Sequence, residues 1–74
     1  MAFSEALTAF ADPRSLTMPD PDHSAAEDLW YILIGQSVRG RLLVVSHAER
    51  GTTIRIISAR PASRSERRQY EEGD

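Results

Sequence analysis

His47, Arg50, Arg55, Arg60, Glu66 and Tyr70 follow one another at intervals of three to six residues, and Arg64 and Arg67 fall among them. Such a set can act on a phosphodiester. A guanidinium presents a planar fork of donors that matches two phosphate oxygens, and it stabilises charge that builds on them during displacement. His47 is the one group of this segment that titrates near neutrality, so it can accept the proton of an RNA 2′-hydroxyl or return one to a leaving oxygen. Glu66 is a second acid/base candidate, Tyr70 can stack on a base, and Arg64 and Arg67 can hold the RNA backbone. Each residue also has a plain structural reading. His47 can be a hairpin-end histidine that only hydrogen-bonds, and the arginines can be solvated edge residues that contribute little. Glu66 fits a helix cap, and Tyr70 fits the contact that seats a helix on a sheet.

The charge distribution frames these residues. Residues 1–38 carry one Arg against six acids, a net of −5, whereas residues 39–70 carry eight Arg against Glu49 and Glu66, a net of +6. Glu71, Glu72 and Asp74 return −3 at the end. A basic segment between acidic flanks suits a phosphate-bearing partner but not indiscriminate polyanion binding. No Lys occurs among the nine basic residues, which fits bidentate phosphate contact and equally fits a GC-rich genome.

Several classes are excluded. The chain has no Cys, so no disulfide or thiolate metal site can supplement its core, and cytoplasmic location is expected. The start, MAFSEALTAF, lacks the basic region and apolar stretch of a signal peptide, and the apolar run Leu29–Ile34 is too short to cross a bilayer. His23 and His47 do not make a zinc spacing, and Asp20, Asp22 and Glu27 lack the rest of a calcium loop. No glycine-rich phosphate loop or nucleophile elbow occurs, and neither cofactor nor metal is expected. Seventy-four residues allow one small domain, 1–74, whose modest core makes oligomerisation or a bound partner a fair expectation.

The elements that must position these residues read as follows. Phe3, Leu7 and Phe10 share one face of a helix over 3–11, which Asp12-Pro13 ends. Residues 13–28 hold three prolines and form a loop with a short extended piece at Ser15–Met18, and DPDHSAAED is a surface loop or a helical turn. Leu29–Ile34 is a central strand apolar on both faces, closed by Gly35. QSVRG leads to a strand over Arg41–Ala48, Arg50-Gly51 is a tight turn, and Thr53–Ala59 is the next strand. That register pairs 49 with 52, 47 with 54, 45 with 56 and 43 with 58. It places Leu43, Val45, His47, Ile54 and Ile56 on a core face with Arg41 and Arg60 at its far end. Leu42, Val44, Ser46, Arg55, Ile57 and Ala59 fall on the other face. Ser63-Arg-Ser-Glu66 is a capping box that starts a polar helix, with Arg67/Glu71 and Arg68/Glu72 as i, i+4 pairs and Gly73 as its stop. The fold class is therefore α+β: a small antiparallel sheet of three to four strands, an N-terminal helix and a polar C-terminal helix.

The run GRLLVVSHAERGTTIRIISARPASRSERRQYEE, with FSEALTAFADP, LTMPDPDHS and LWYILIGQSVRGRLL before it, resembles the BrnT family of toxins from type II toxin–antitoxin systems. The resemblance spans essentially the whole chain, and IRIISARPAS–ERRQYEE is its most specific part. It implies a compact RelE-like α+β fold and a metal-independent cytoplasmic ribonuclease that blocks translation. It also implies a BrnA-like antitoxin that binds DNA through a ribbon-helix-helix domain, with two toxins and two antitoxins assembling on their own operon. The matching positions here are His47, Glu49, Arg50, Arg55, Arg60, Glu66 and Tyr70. Family members usually begin with a further strand and helix, of the form F-x-W-D-x-x-K…N-x-x-K-H-G, ahead of the FSEA segment. This chain begins where that segment ends, so a shortened homologue, a misplaced start codon or a truncated chain is expected, with an open sheet edge. A degenerate toxin that binds an antitoxin without cleaving RNA is the alternative.

Overall fold

The computed structural model describes residues 3–22 and 29–73. Most of the segment expected as a loop or helical turn, including His23 and Glu27, lies outside them. The elements are α1 (Phe3–Ala9), β1 (Leu16–Pro19), β2 (Leu29–Gln36), β3 (Leu42–Arg50), β4 (Thr53–Pro61) and α2 (Arg64–Glu72). The strands form one sheet in the order β1-β2-β3-β4, each antiparallel to its neighbour. The α+β class with a helix before and after the sheet is as expected. The extended piece in the proline-rich stretch is a true edge strand, which tolerates Pro19 because an edge residue can forgo a ladder donor.

Paired residues share a face of a sheet. Leu33, Leu43 and Val45 face α1 and pack with Ala6 and Ala9, joined by Phe10, Ile56 and Ala59. Ile34, Leu42 and Val44 face the opposite way, toward α2, with Met18, Ile32, Ala62 and Tyr70 around them. The central-strand reading of LWYILI therefore holds at Leu33 and Ile34, which are covered on opposite sides. It fails at Leu29, half of which is exposed.

The α1 face differs from the expected one. Phe3 and Leu7 are 54% and 57% exposed, whereas Ala6 and Ala9 are fully buried. The helix lies so close to β2 that only small side chains fit between them. A Cβ on Gly35 would sit 2.7 Å from the Ala9 carbonyl oxygen, so Gly35 permits the approach and does not close the strand, which continues to Gln36.

The hairpin register also differs. Arg50 pairs with Thr53, so the turn is Gly51-Thr52, with Gly51 in the left-handed region at φ +60°. His47 pairs with Ile56 but Ser46 pairs with Ser58, which leaves Ile57 as an unpaired bulge residue. One extra residue reverses the faces of everything after it. Ala59 therefore joins the α1-side core with Val45, and Arg60 pairs with Val44 on the α2 side, both opposite to expectation.

Candidate functional site

The sheet separates the chemistry-bearing residues into two groups. Arg55 pairs with Ala48 and Arg60 with Val44, and Arg50 shares this side by alternation along β3. Tyr70 of α2 covers the Ile34–Val44 end of this face. The other end is open, and Ala48, Arg50, Thr53 and Arg55 line a hollow of about 210 Å³ there. Ala48 makes the hollow, because its methyl group leaves space between strands that carry long side chains. These described lining residues offer two guanidinium groups and one hydroxyl, with no imidazole and no carboxylate.

His47 is on the other face. It is 1% exposed, edge-on to Phe10 at 4.9 Å between ring centroids and stacked on Tyr31 at 5.7 Å. Its Nε2 lies 3.4 Å from Glu49 Oε2, and its Nδ1 has no hydrogen-bond partner among the described residues. The structure does not bring His47 together with Arg50, Arg55 or Arg60; a β-sheet stands between them.

Arg60 and Glu66 are brought together, but with each other. Arg60 Nη1 and Nη2 donate to Glu66 Oε1 and Oε2 at 2.7 and 2.6 Å, and Ser63 N donates to Oε1 at 2.8 Å. The reciprocal bond from Glu66 N to Ser63 Oγ completes the expected capping box. The Arg60 guanidinium holds the Glu66 carboxyl down to about 2, with Ser63 assisting against partial burial. A carboxylate so acidic is a poor proton carrier near neutrality.

Tyr70 seats α2. Its ring packs on the Ile34–Val44 cluster and its hydroxyl donates to Asp12 Oδ2 at 2.6 Å. Asp12 also accepts from the backbone N–H groups of Gln36 (2.8 Å) and Arg14 (3.0 Å). Burial pushes the Asp12 carboxyl up, but these bonds outweigh it and leave the group below its usual value. Arg64, Arg67 and Arg68 project from the exposed side of α2, and no ion pair forms from Arg67 to Glu71 or from Arg68 to Glu72.

A second anchored cation lies at the far end of the core. Arg41 donates to both carboxylate oxygens of the buried Glu5, from Nε at 2.9 Å and from Nη2, and Ser37 Oγ adds a bond of 2.8 Å. The Arg41 hydrogen bond, chiefly, holds the Glu5 carboxyl down to about 2. No local pattern predicts this triad, since Glu5 suits a helix first turn equally well and its partners are 32 and 36 residues away. Ala48 and Thr53 of the hollow were likewise not marked by residue type. Only the correct hairpin register, with Ala48 opposite Arg55, points to them.

The arginines thus divide by occupation. Arg41 and Arg60 are each saturated by one carboxylate, whereas no described residue pairs with Arg55 beside the hollow. A four-stranded antiparallel sheet flanked by two helices, with a basic hollow on one face, defines a small α+β protein suited to an anionic ligand. The chain belongs to the BrnT family: residues 1–66 match the family model described as ribonuclease toxin, BrnT, of type II toxin-antitoxin system. A search of curated proteins returned no match. The family match stops at Glu66, so Arg67 and Tyr70 are understood from the structure alone. Among the described residues, no helix is long and apolar enough to cross a membrane.

Proposed function

We propose that this chain is a cytoplasmic toxin that cleaves RNA at the Arg50–Arg55 hollow and thereby blocks translation. Its cognate antitoxin would be a ribbon-helix-helix protein, with toxin and antitoxin assembling as a heterotetramer. Family membership supports the ribonuclease class. The observation that carries the location is that Arg55 borders an open hollow and no described carboxylate pairs with it, while Arg60 is neutralised by Glu66.

In the proposed reaction the RNA 2′-oxygen attacks the adjacent phosphorus and the bond to the 5′-oxygen breaks. The products are a 2′,3′-cyclic phosphate and a free 5′-hydroxyl. Arg50 and Arg55 stabilise the charge that builds on the non-bridging oxygens. Water takes the 2′-hydroxyl proton and protonates the leaving oxygen, because His47 is across the sheet and Glu66 is held as a carboxylate. Arg64 and Arg67 on the outer side of α2 hold the RNA strand.

Incubation of the purified chain with RNA in EDTA tests this reading. Cleavage is expected, with Arg55→Ala lowering its rate about 10²- to 10³-fold. Equal cleavage by Arg55→Ala would sink the assignment of the hollow. A second reading, a non-catalytic module that binds an antitoxin in a repressor complex, is favoured by the lack of a proton carrier among the described lining residues. Growth arrest on expression without antitoxin supports the toxin, and unimpaired growth supports the module.

A further inference from the structure

β4 is the last strand of the sheet, and among the described residues no strand pairs with its outer edge. Its first four residues, Thr53–Ile56, precede the bulge and run in regular register against Arg50–His47. This sheet already accepts an edge strand of that length, since β1 pairs with β2 through four residues.

The side chains along this edge differ by face. Ile54 points to the α1 side and is 53% exposed, and it lies in one cross-strand row with Glu49 and the half-exposed Leu29. Arg55 points to the opposite side, at the hollow, and no described carboxylate pairs with it. An exposed isoleucine on an unpaired strand edge is a feature that folded proteins ordinarily cover or replace.

We infer that the Thr53–Ile56 edge is the docking line of the antitoxin, which adds an extended segment here as a fifth strand. Neighbouring residues of a strand alternate between faces, so this segment places an apolar side chain against Ile54 and a carboxylate against Arg55. The net charge of +6 across residues 39–70 favours an acidic partner. A second copy is a poorer occupant, because antiparallel pairing of two β4 edges through these residues would set both Arg55 side chains on one face, opposite or diagonal to each other. The bulge at Ile57 and Pro61 limit pairing beyond the first half of β4. The inference rests on the reading of the hollow as the cleavage site: a carboxylate at Arg55 occupies the place of the phosphate, so docking and neutralisation are one event.

Amide hydrogen exchange of the isotopically labelled full chain, alone and saturated with purified cognate antitoxin, is the test. Protection should rise about tenfold or more at amides within Thr53–Ile56, and Ile54→Asp and Arg55→Glu should each weaken Kd about tenfold. Arg68→Glu, on the exposed side of α2, should not. Protection confined to α2 or β1, or unchanged affinity in both edge variants, overturns the inference. The same protection in the free chain at rising concentration would put a second copy at the edge. Simultaneous binding of an RNA oligonucleotide and the antitoxin, with no competition between them, would separate docking from the hollow. Either result also overturns it. Circular dichroism matched to the parent confirms folding, with Ile54→Thr replacing Ile54→Asp if the latter unfolds. Inactivity of the free chain on RNA would tell against the proposed ribonuclease while leaving this binding test intact.

Discussion

The Tyr70 hydroxyl donates to Asp12 Oδ2 at 2.6 Å, joining α2 to the turn that follows α1 across 58 residues of sequence. Asp12 also receives Gln36 N at the end of β2, so one carboxylate ties together a helix, a strand end and the turn. α2 buries no residue fully, and it is held by this bond, the Tyr70 ring and the Arg60–Glu66 pair. Tyr70→Phe keeps the ring and removes the donor. It should cost about 1–2 kcal/mol in urea denaturation, the usual range for a hydrogen bond to a charged group that is partly exposed. Tyr70→Ala should also release α2, read as lost helical signal in circular dichroism.

Acid should weaken the fold through Glu5 and Glu66. Both carboxyls are held at about 2 in the folded chain against an ordinary 4.5, by Arg41 and Arg60 respectively. A folded value below the unfolded one gives stability that is fully present above about pH 4.5 and is lost as pH falls toward 2. Urea midpoints should therefore fall between pH 5 and pH 2.5, and Glu5→Gln should flatten that slope. An equal slope in parent and Glu5→Gln would refute the assignment.

Gly35→Ala should destabilise without touching the hollow. Its new methyl group would meet the Ala9 carbonyl oxygen at 2.7 Å, and backbone cannot rotate aside as a side-chain tip can. A cost of about 1–3 kcal/mol is expected from thermal or urea unfolding, as for other overpacked sites.

Arg55 and Arg60 should behave differently despite identical chemistry. Arg55→Ala should abolish most RNA cleavage and leave stability within about 0.5 kcal/mol, since no described residue depends on it. Arg60→Ala frees Glu66 from its ion pair, and because the pair is largely solvated the cost should stay under about 1 kcal/mol. Ser63→Ala, which removes the cap itself, should cost about 1 kcal/mol.

His47→Leu separates a structural from a chemical histidine. The imidazole is buried with Nδ1 unpaired among the described residues, so an apolar replacement of similar size removes an unsatisfied polar atom. Stability should hold or rise, and RNA cleavage should persist. Loss of cleavage in a folded His47→Leu protein would return His47 to the mechanism.

Local chemistry made much of this molecule readable from its residues alone. The β-branched and aromatic runs define three strands, Ser63 to Glu66 define the helix cap, and the arginine concentration over 39–70 marks the basic side. These are short-range effects, set by neighbours within a few residues. The tertiary structure decided the rest. One bulge at Ile57 moved Arg60 onto the α2 face and Ala59 off it, because side-chain alternation carries a single insertion through every later residue. Close approach of α1 to Gly35 buried Ala6 and Ala9 and turned Phe3 and Leu7 outward, which apolar periodicity cannot foresee. Glu5 and Arg41, like Asp12 and Tyr70, meet only after the chain has closed. His47, Arg55 and Glu66 look like one catalytic set in the sequence. In the fold His47 is a buried ring on one face, Arg55 is a guanidinium on the other with which no described residue pairs, and Glu66 is half of a helix-capping ion pair; side-chain alternation separates the first two, and Arg60 occupies the third.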